Sequence, residues 1–518
     1  MGVLCLGKRR NETTRPIGLW RMKSTPSVRH NIIANFAGKA WHGIFSLAFV
    51  PIYIKIMGVE VYGLLGIFLS LSALFSLLDM GLSATLNREL SRLSVAKDSA
   101  QESRNLVRTF EVVYWGIGIL IGIAVIILAP LLAKYWINST STSSETIEQA
   151  LLIMGILLAS QWPNAIYSGG LKGLQRQVGL NVIRSVSLTV RHGGAVLVLL
   201  FISPSISAFF LWQSVVALLT TIVLAVWLWK SLPKSEHQTR FDKNLFVKNW
   251  QFASGMMGIS LVTVILTQLD KIILSKMLTL EMFGYYMLAL NVANVLTNLV
   301  SPVHTALFPR LSQLVAEGRE TGISELYHKG CQLVSVIILP IAMILVFFAE
   351  EILSMWIGNP VVVRNTHMLL SLLVIGAMIN SLMILPFTLM LSYGWTRLVL
   401  IQNGISIVLL VPLMLWMVDL YGAVGAAIVW IILNIGYIFI LIPIMHRRVL
   451  KTEMWKWYSI DFSFPMLVVF IVGYTFYIAM PLDLPNYLGF SWVAVTYLIG
   501  LLLLGLIFPF TREKILRF

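Results

Sequence analysis

Charged and amide side chains recur at helical spacing inside stretches that are otherwise apolar, and the charges lean to one sign. Lys39, Arg191 and Lys271 are the deep bases, with Arg184 nearer an edge and His42 and His192 beside them; Asp79 and Asp270 are the deep acids. Steps of three and four put Asn31, Asn35, Lys39, His42 and Ser46 on one helix face. The same holds for Ser72, Ser76, Asp79 and Ser83, and for the arc Asn181, Arg184, Ser185, Arg191 and His192. Two further stripes are Ser260, Thr263, Thr267, Asp270, Lys271 and Asn291, Asn294, Asn298, Ser301, Thr305. A cavity in which guanidinium and ammonium groups outnumber carboxylates suits an anionic ligand, through charge-assisted hydrogen bonds to phosphate. No His/Asp/Glu cluster has metal-ligand spacing, and no glycine-rich loop with lysine cradles a nucleotide phosphate. We therefore expect no metal, no cofactor and no ATP site.

Each group carries a second reading. Arg191 lies about ten residues from either end of its apolar stretch, roughly 15 Å at 1.5 Å per residue, too deep to snorkel to water. It either contacts cargo or forms a buried ion pair with a residue such as Asp79. Lys271 lies only about 8 Å from one end and either snorkels or faces a cavity, with Asp270 paired to a cation from elsewhere in the chain. Serine, threonine and asparagine stripes either line a water-filled space or bond helices together. His192 and His304 either titrate or sit hydrogen-bonded in a core.

The elements that position these groups must be membrane helices. Of the 518 residues, 58% are hydrophobic and only 12% charged, at a mean hydropathy of +0.84. Soluble domains carry about 25% charged residues, so too few charges remain here to cover a water-facing surface. The apolar residues fall in blocks of about 20, the length that crosses a bilayer core. Stretches such as 117–132 and 466–479 do not alternate as barrel strands do, so these blocks are helices. We read an all-α polytopic membrane protein of about fourteen spans, the first at 31–56 and the last at 492–509. With the amino terminus cytoplasmic, most of the 38 lysines and arginines fall on the cytoplasmic side. Only Lys55, Lys134, Lys276 and Arg364 lie opposite, and Lys39, Arg191 and Lys271 lie within spans. This bias orients the chain in a bacterial inner membrane with both ends cytoplasmic, and it accounts for the net charge of +15 without nucleic acid. Cys5 and Cys331 both fall on the reducing side, so no disulfide is expected. Residues 1–30 form a basic tail too poor in apolar residues for a signal peptide, and Met22 is an alternative start.

The chain also repeats itself. A shift of 221 residues lays Glu60-Val-Tyr62-Gly63 on Glu281-Met-Phe283-Gly284, Leu90-Ser91 on Leu311-Ser312, Gly155 on Gly376 and Gly173 on Gly394. One constant offset over that length defines two six-helix bundles, 31–230 and 251–446, joined by a basic cytoplasmic linker 231–250. An even helix count keeps both copies in one orientation, as in transporters whose halves rock about a central site. The pair 461–509 lies outside the repeat and reads as an appendage, dispensable for folding of the two halves. Gly81 and Pro302 occupy matching positions and are hinge candidates beside a binding site; two independent packing kinks are the other reading.

The segment Gly58-Val-Glu60-Val-Tyr62-Gly63-Leu64, with Leu78-Asp79-Met80-Gly81-Leu82 and Arg88-Glu89-Leu90-Ser91 after it, resembles the Wzx-type polysaccharide transporters. So does Gln268-Leu269-Asp270-Lys271-Ile272-Ile273-Leu274-Ser275 with Phe283-Gly284-Tyr285-Tyr286. The resemblance implies a V-shaped pair of six-helix bundles that carries undecaprenyl-pyrophosphate-linked oligosaccharide to the periplasmic leaflet by alternating access, for O-antigen or exopolysaccharide. It leaves room for a coupling ion and for polysaccharide assembly proteins as partners. Lipid II flippases and multidrug extruders share the superfamily and are the nearest alternatives. A membrane polymerase or ligase is the rival enzyme class, but such catalysts need a sizeable outer loop. The loops 133–147 and 349–364 are short, and the first offers no acid–base pair.

Overall fold

The computed structural model describes residue 38 and residues 41–96, 99–481 and 486–508, the side chains of 250–260 and 486–487 excepted. Lys39, Asn31 and Asn35 lie outside these residues, and the side chain of Ser260 lies outside them too. The described chain is helical throughout, with no strand among its named elements. Hydrocarbon offers backbone amides no partner, so every crossing segment satisfies its own.

In the first half the helices are α1 (Trp41–Met57), α2 (Val59–Phe75), α3 (Leu82–Leu93), α4 (Ala100–Leu131), α5 (Ser144–Gln161), α6 (Asn164–Gly173), α7 (Gln177–Phe201) and α8 (Ile206–Ser231). The second half begins with α9 (Lys243–Met277), α10 (Leu280–Ala316), α11 (Glu320–Phe347) and α12 (Ala349–Ile357). It continues with α13 (Pro360–Leu382), α14 (Ile384–Ser392), α15 (Thr396–Gly436) and α16 (Ile442–Arg448). The last pair is α17 (Phe464–Ile478) and α18 (Asn486–Ile507). Among the described residues eleven helical runs are long and apolar enough to cross a membrane. The shorter α1 and the long α9 stand where the first and seventh spans were read. The run 396–448 is broken at Gly422, whose φ of 57° falls where two spans were expected to meet.

Several boundaries depart from the sequence reading. Within 86–108, read from sequence as a loop, α3 runs to Leu93 and into a turn at Ser94–Ala96, and α4 begins at Ala100. The linker is likewise short, because α9 begins at Lys243, where Asp242 caps the amides of Asn244 and Leu245. The second span is interrupted. A 3-10 turn at Ser76–Asp79 ends in two left-handed residues, Met80 (φ 47°) and Gly81 (φ 75°), before α3 resumes. Only glycine adopts that conformation without a steric penalty, so Gly81 marks a true break. Its partner Pro302 does not: α10 passes through it uninterrupted.

The halves meet unevenly. Around α2 and α10 they share one continuous apolar core, which includes Leu64, Phe68, Leu280, Phe283 and Leu288. At the opposite end a separate core is built mainly from the first half, with Leu82, Leu86, Phe110, Tyr167 and Leu228, and the start of α9 packs against it through Leu245 and Phe246. The seam is thus closed at one end and parted at the other.

The pair α17–α18 is not a loose appendage. Asp461, just before α17, has a fully buried side chain that bonds His328 Nδ1 and accepts from Gln332 Nε2 at 3.0 Å. Ser335 Oγ donates to its carbonyl at 2.9 Å, and His328 Nε2 reaches Glu453 at 3.1 Å. A buried carboxylate on one element and a histidine on another make a joint that packing alone does not.

Candidate functional site

Where the seam parts, a cavity of about 790 Å³ opens between the halves. The first half supplies nearly all of its polar wall. The helix α7 presents Gln177, Asn181, Arg184, Ser185, Ser187 and Arg191, α6 adds Asn164 and Lys172, and His42 and Gly38 come from the first span. The second half contributes Pro302, Thr305 and Ala306 on α10. No acidic side chain is among the described residues that line it.

Local structure explains the arrangement. The fourth span bends at Trp162–Pro163, between α5 and α6, and the bend swings α6 so that Lys172 faces inward. Arg184 Nη2 donates to Ser168 Oγ at 2.9 Å, which fixes the guanidinium against α6. Arg191 Nε donates to Gln213 on α8. A neutral amide orients this guanidinium without cancelling its charge, and its remaining N–H groups stay available to an anion.

The ion pair between Arg191 and Asp79 is not formed. Asp79 instead takes the Tyr114 hydroxyl and the Ser83 hydroxyl, the latter at 2.9 Å, and so braces the break in the second span. Asp270 does not reach a distant cation either. It pairs with its own neighbour Lys271 at 3.0 Å and accepts from Tyr286 at 2.7 Å, while Lys271 also donates to the Thr267 carbonyl at 2.6 Å. Neither acid lines the cavity. His192 also misses the cavity lining and bonds the Tyr53 hydroxyl at 3.0 Å. Asn291 bonds Tyr62 at 2.8 Å and the Ser46 carbonyl at 3.4 Å, which makes it glue between the halves. Asn294 and Asn298 are exposed on α10 beyond the cavity lining. His304, bonded to Thr388 at 2.6 Å, follows the core reading.

Of the sequence candidates, His42, Arg184, Arg191 and Pro302 come together around one space. Lys172, Asn164 and Gln177 were missed. From sequence Lys172 reads as part of a cytoplasmic loop, because nothing but the Trp162-Pro163 pair signals that the fourth span bends and continues to Gly173.

Comparison with known proteins agrees with this architecture. Over 407 residues the chain is 22% identical to the "Putative O-antigen transporter" of Shigella flexneri, which covers 78% of this chain and 94% of that one. The fold superposes on the lipid II flippase MurJ in an inward closed conformation with a TM-score of 0.70 at 16% identity, covering 94% and 99% of the two chains. It matches an inward-facing multidrug-resistance MATE transporter with a TM-score of 0.58 at 13% identity, covering 87% and 95%. These likenesses fix the fold. The family model described as polysaccharide biosynthesis protein matches residues 54–361, more than half of the sequence, and the chain belongs to that family.

Proposed function

We propose that this protein is a flippase that moves undecaprenyl-pyrophosphate-linked oligosaccharide from the cytoplasmic to the periplasmic leaflet, for O-antigen or exopolysaccharide assembly. The observation that carries the reading is the charge of the cavity. Lys172, Arg184 and Arg191 line it without an acid among the described residues. A pyrophosphate offers matching oxygens to guanidinium forks. The sugars meet the amides and hydroxyls of Asn164, Gln177, Asn181 and Thr220. The lipid tail stays in the bilayer, where its transfer costs nothing.

The mechanism follows from the uneven seam. The parted end faces the cytoplasm under the positive-inside orientation, so the head group enters there. Rocking of bundles 31–230 and 251–446, across fourteen spans, then closes that end and parts the other. Arg191, held by Gln213, binds the anion near mid-depth, and Lys172 and Arg184 receive it nearer the entrance. A multidrug extruder shares the fold, but organic cations do not suit this lining. The test is genetic. Deleting the gene should make lipid-linked repeat units accumulate while surface polysaccharide disappears, and the wild-type gene should reverse both. Normal surface polysaccharide in the deletion strain would refute the reading.

A further inference from the structure

The closed end of the seam carries a built contact that the cavity does not explain. The short segment 139–142 folds around Glu60, at the start of α2. One carboxylate oxygen accepts from Ser139 Oγ at 2.9 Å and Thr142 Oγ1 at 2.5 Å. The other accepts from the backbone amides of Thr140 and Ser141, each at 3.2 Å. Glu60 is only 5% exposed, so its charge is satisfied almost wholly by this one segment. Charge-assisted bonds of this kind are the strong ones, and four of them fix the segment's shape.

The residues just before the segment reach across to the second half. Leu280 N donates to the Asn138 carbonyl at 2.6 Å, and Asn138 Nδ2 donates to the Lys276 carbonyl at 3.0 Å. Trp136 Nε1 donates to Ser275 Oγ at 3.0 Å, and the Lys276 ammonium bonds the Tyr135 carbonyl. The repeat holds no second copy of this contact. Glu281, which matches Glu60, accepts instead from Tyr285 on its own helix at 2.7 Å. Asn359, which matches Asn138, caps its own helix through Val361 N and Val362 N. A symmetric seam has thus gained a clasp on one side only.

We propose that Glu60 is the positioning residue of this clasp. It holds segment 139–142 in the shape that lets Trp136 and Asn138 grip residues 275–280, and it thereby sets how long the cavity stays closed toward the periplasm. The inference rests on the alternating-access reading above. When the halves part, the bonds to Lys276 and Leu280 break, while those to Glu60 travel intact with the first half. Without the carboxylate, the amides and hydroxyls of the segment turn to water and the grip loses its register. The closed state is then weakened and the outward-open state is not.

The experiment uses the full-length protein in intact cells, with Cys5→Ser and Cys331→Ser removing background thiols. Thr220→Cys in the cavity reports opening through its rate of labelling by a membrane-impermeant maleimide. Glu60→Ala should raise that rate roughly tenfold, the effect of losing a hydrogen bond to a charged group, at unchanged abundance in the membrane. Glu60→Gln should raise it less, because one amide oxygen still accepts. Separately, Asn138→Cys with Thr279→Cys places thiols on residues that pair directly across the seam. Oxidation should join them and be reversed by a reductant; adding Glu60→Ala should slow the cross-link. An unchanged labelling rate, or a cross-link that forms equally fast without Glu60, would overturn the proposal. If Glu60→Ala is lost from the membrane, Glu60→Gln in the same two assays decides. Neither readout involves cargo. A clasp that responds in a strain whose lipid-linked sugars never accumulate would sink the flippase assignment and leave the clasp standing.

Discussion

Gly63 and Gly284 meet across the seam as equivalent partners. A Cβ on Gly63 would strike the Leu280 carbonyl and lie 3.3 Å from Gly284 N, while one on Gly284 would strike the Val59 carbonyl. Because Val59 and Leu280 are themselves related by the 221-residue shift, each half offers the other the same surface. Such a contact is self-complementary about a two-fold axis, and it needs glycine because only backbone fits. Gly63→Val should wedge this seam at a cost of about 1–3 kcal/mol. We expect export to fall severalfold or more while the protein stays in the membrane, with faster outside labelling of a cavity cysteine.

Arg191→Ala should abolish surface polysaccharide at normal membrane abundance, since the partner left behind is the neutral Gln213 and not a buried carboxylate. Arg191→Lys should keep part of the activity, because charge survives and the fork does not. Lys172→Glu should cost at least tenfold in export by placing an acid in a lining that has none. Quantifying surface polysaccharide against protein level by immunoblot checks all three.

Asp461→Ala should destabilise the protein by about 1–3 kcal/mol, because His328 and Gln332 lose their hydrogen-bond partner in a buried site. Truncation after Tyr458 should lower abundance for the same reason. Melting of the detergent-solubilised protein measures the first and immunoblotting the second. An unchanged melting temperature would restore the appendage view.

Glu89 gives a pH dependence outside the membrane. Burial alone would raise its carboxyl, but hydrogen bonds from Arg88 and Arg92 outweigh burial and hold it below the ordinary value. A depressed folded pKa contributes stability that is present above the unfolded value, about 4.3, and lost as pH falls through the lower folded one. Both arginines are about half exposed, so water limits the contribution to about 1 kcal/mol or less. The melting curves of wild type and Glu89→Gln should therefore differ at neutral pH and converge as the medium is acidified below the unfolded carboxyl range.

Ser99→Cys tests orientation. The turn between α3 and α4 lies beside basic residues that favour the anionic cytoplasmic surface. The new thiol should resist an impermeant reagent in intact cells and react once they are opened. Ready labelling from outside would invert the topology.

The sequence carried the fold because hydropathy, the basic bias and the repeat are long-range signals that survive errors of several residues. Arg191 was legible for the same reason: nothing local explains a guanidinium at mid-span. What the sequence could not carry was pairing. Asp79 and Asp270 have the composition of cavity residues, and only the positions of Tyr114, Lys271 and Tyr286 turn them away. Lys172 was hidden by a bend, since a basic residue past an apolar run looks like the start of a loop.

Among the described residues the charges that line the cavity all come from the first half. Under the proposed mechanism, an anion bound to Lys172, Arg184 and Arg191 would keep the same partners throughout a cycle, while Pro302, Thr305 and Ala306 would slide past it as an uncharged wall. On that reading the first half would act as a cradle and the second as a shutter. Exchanging residues 31–230 between relatives should transfer head-group preference, whereas exchanging 251–446 should alter turnover and leave preference where it was.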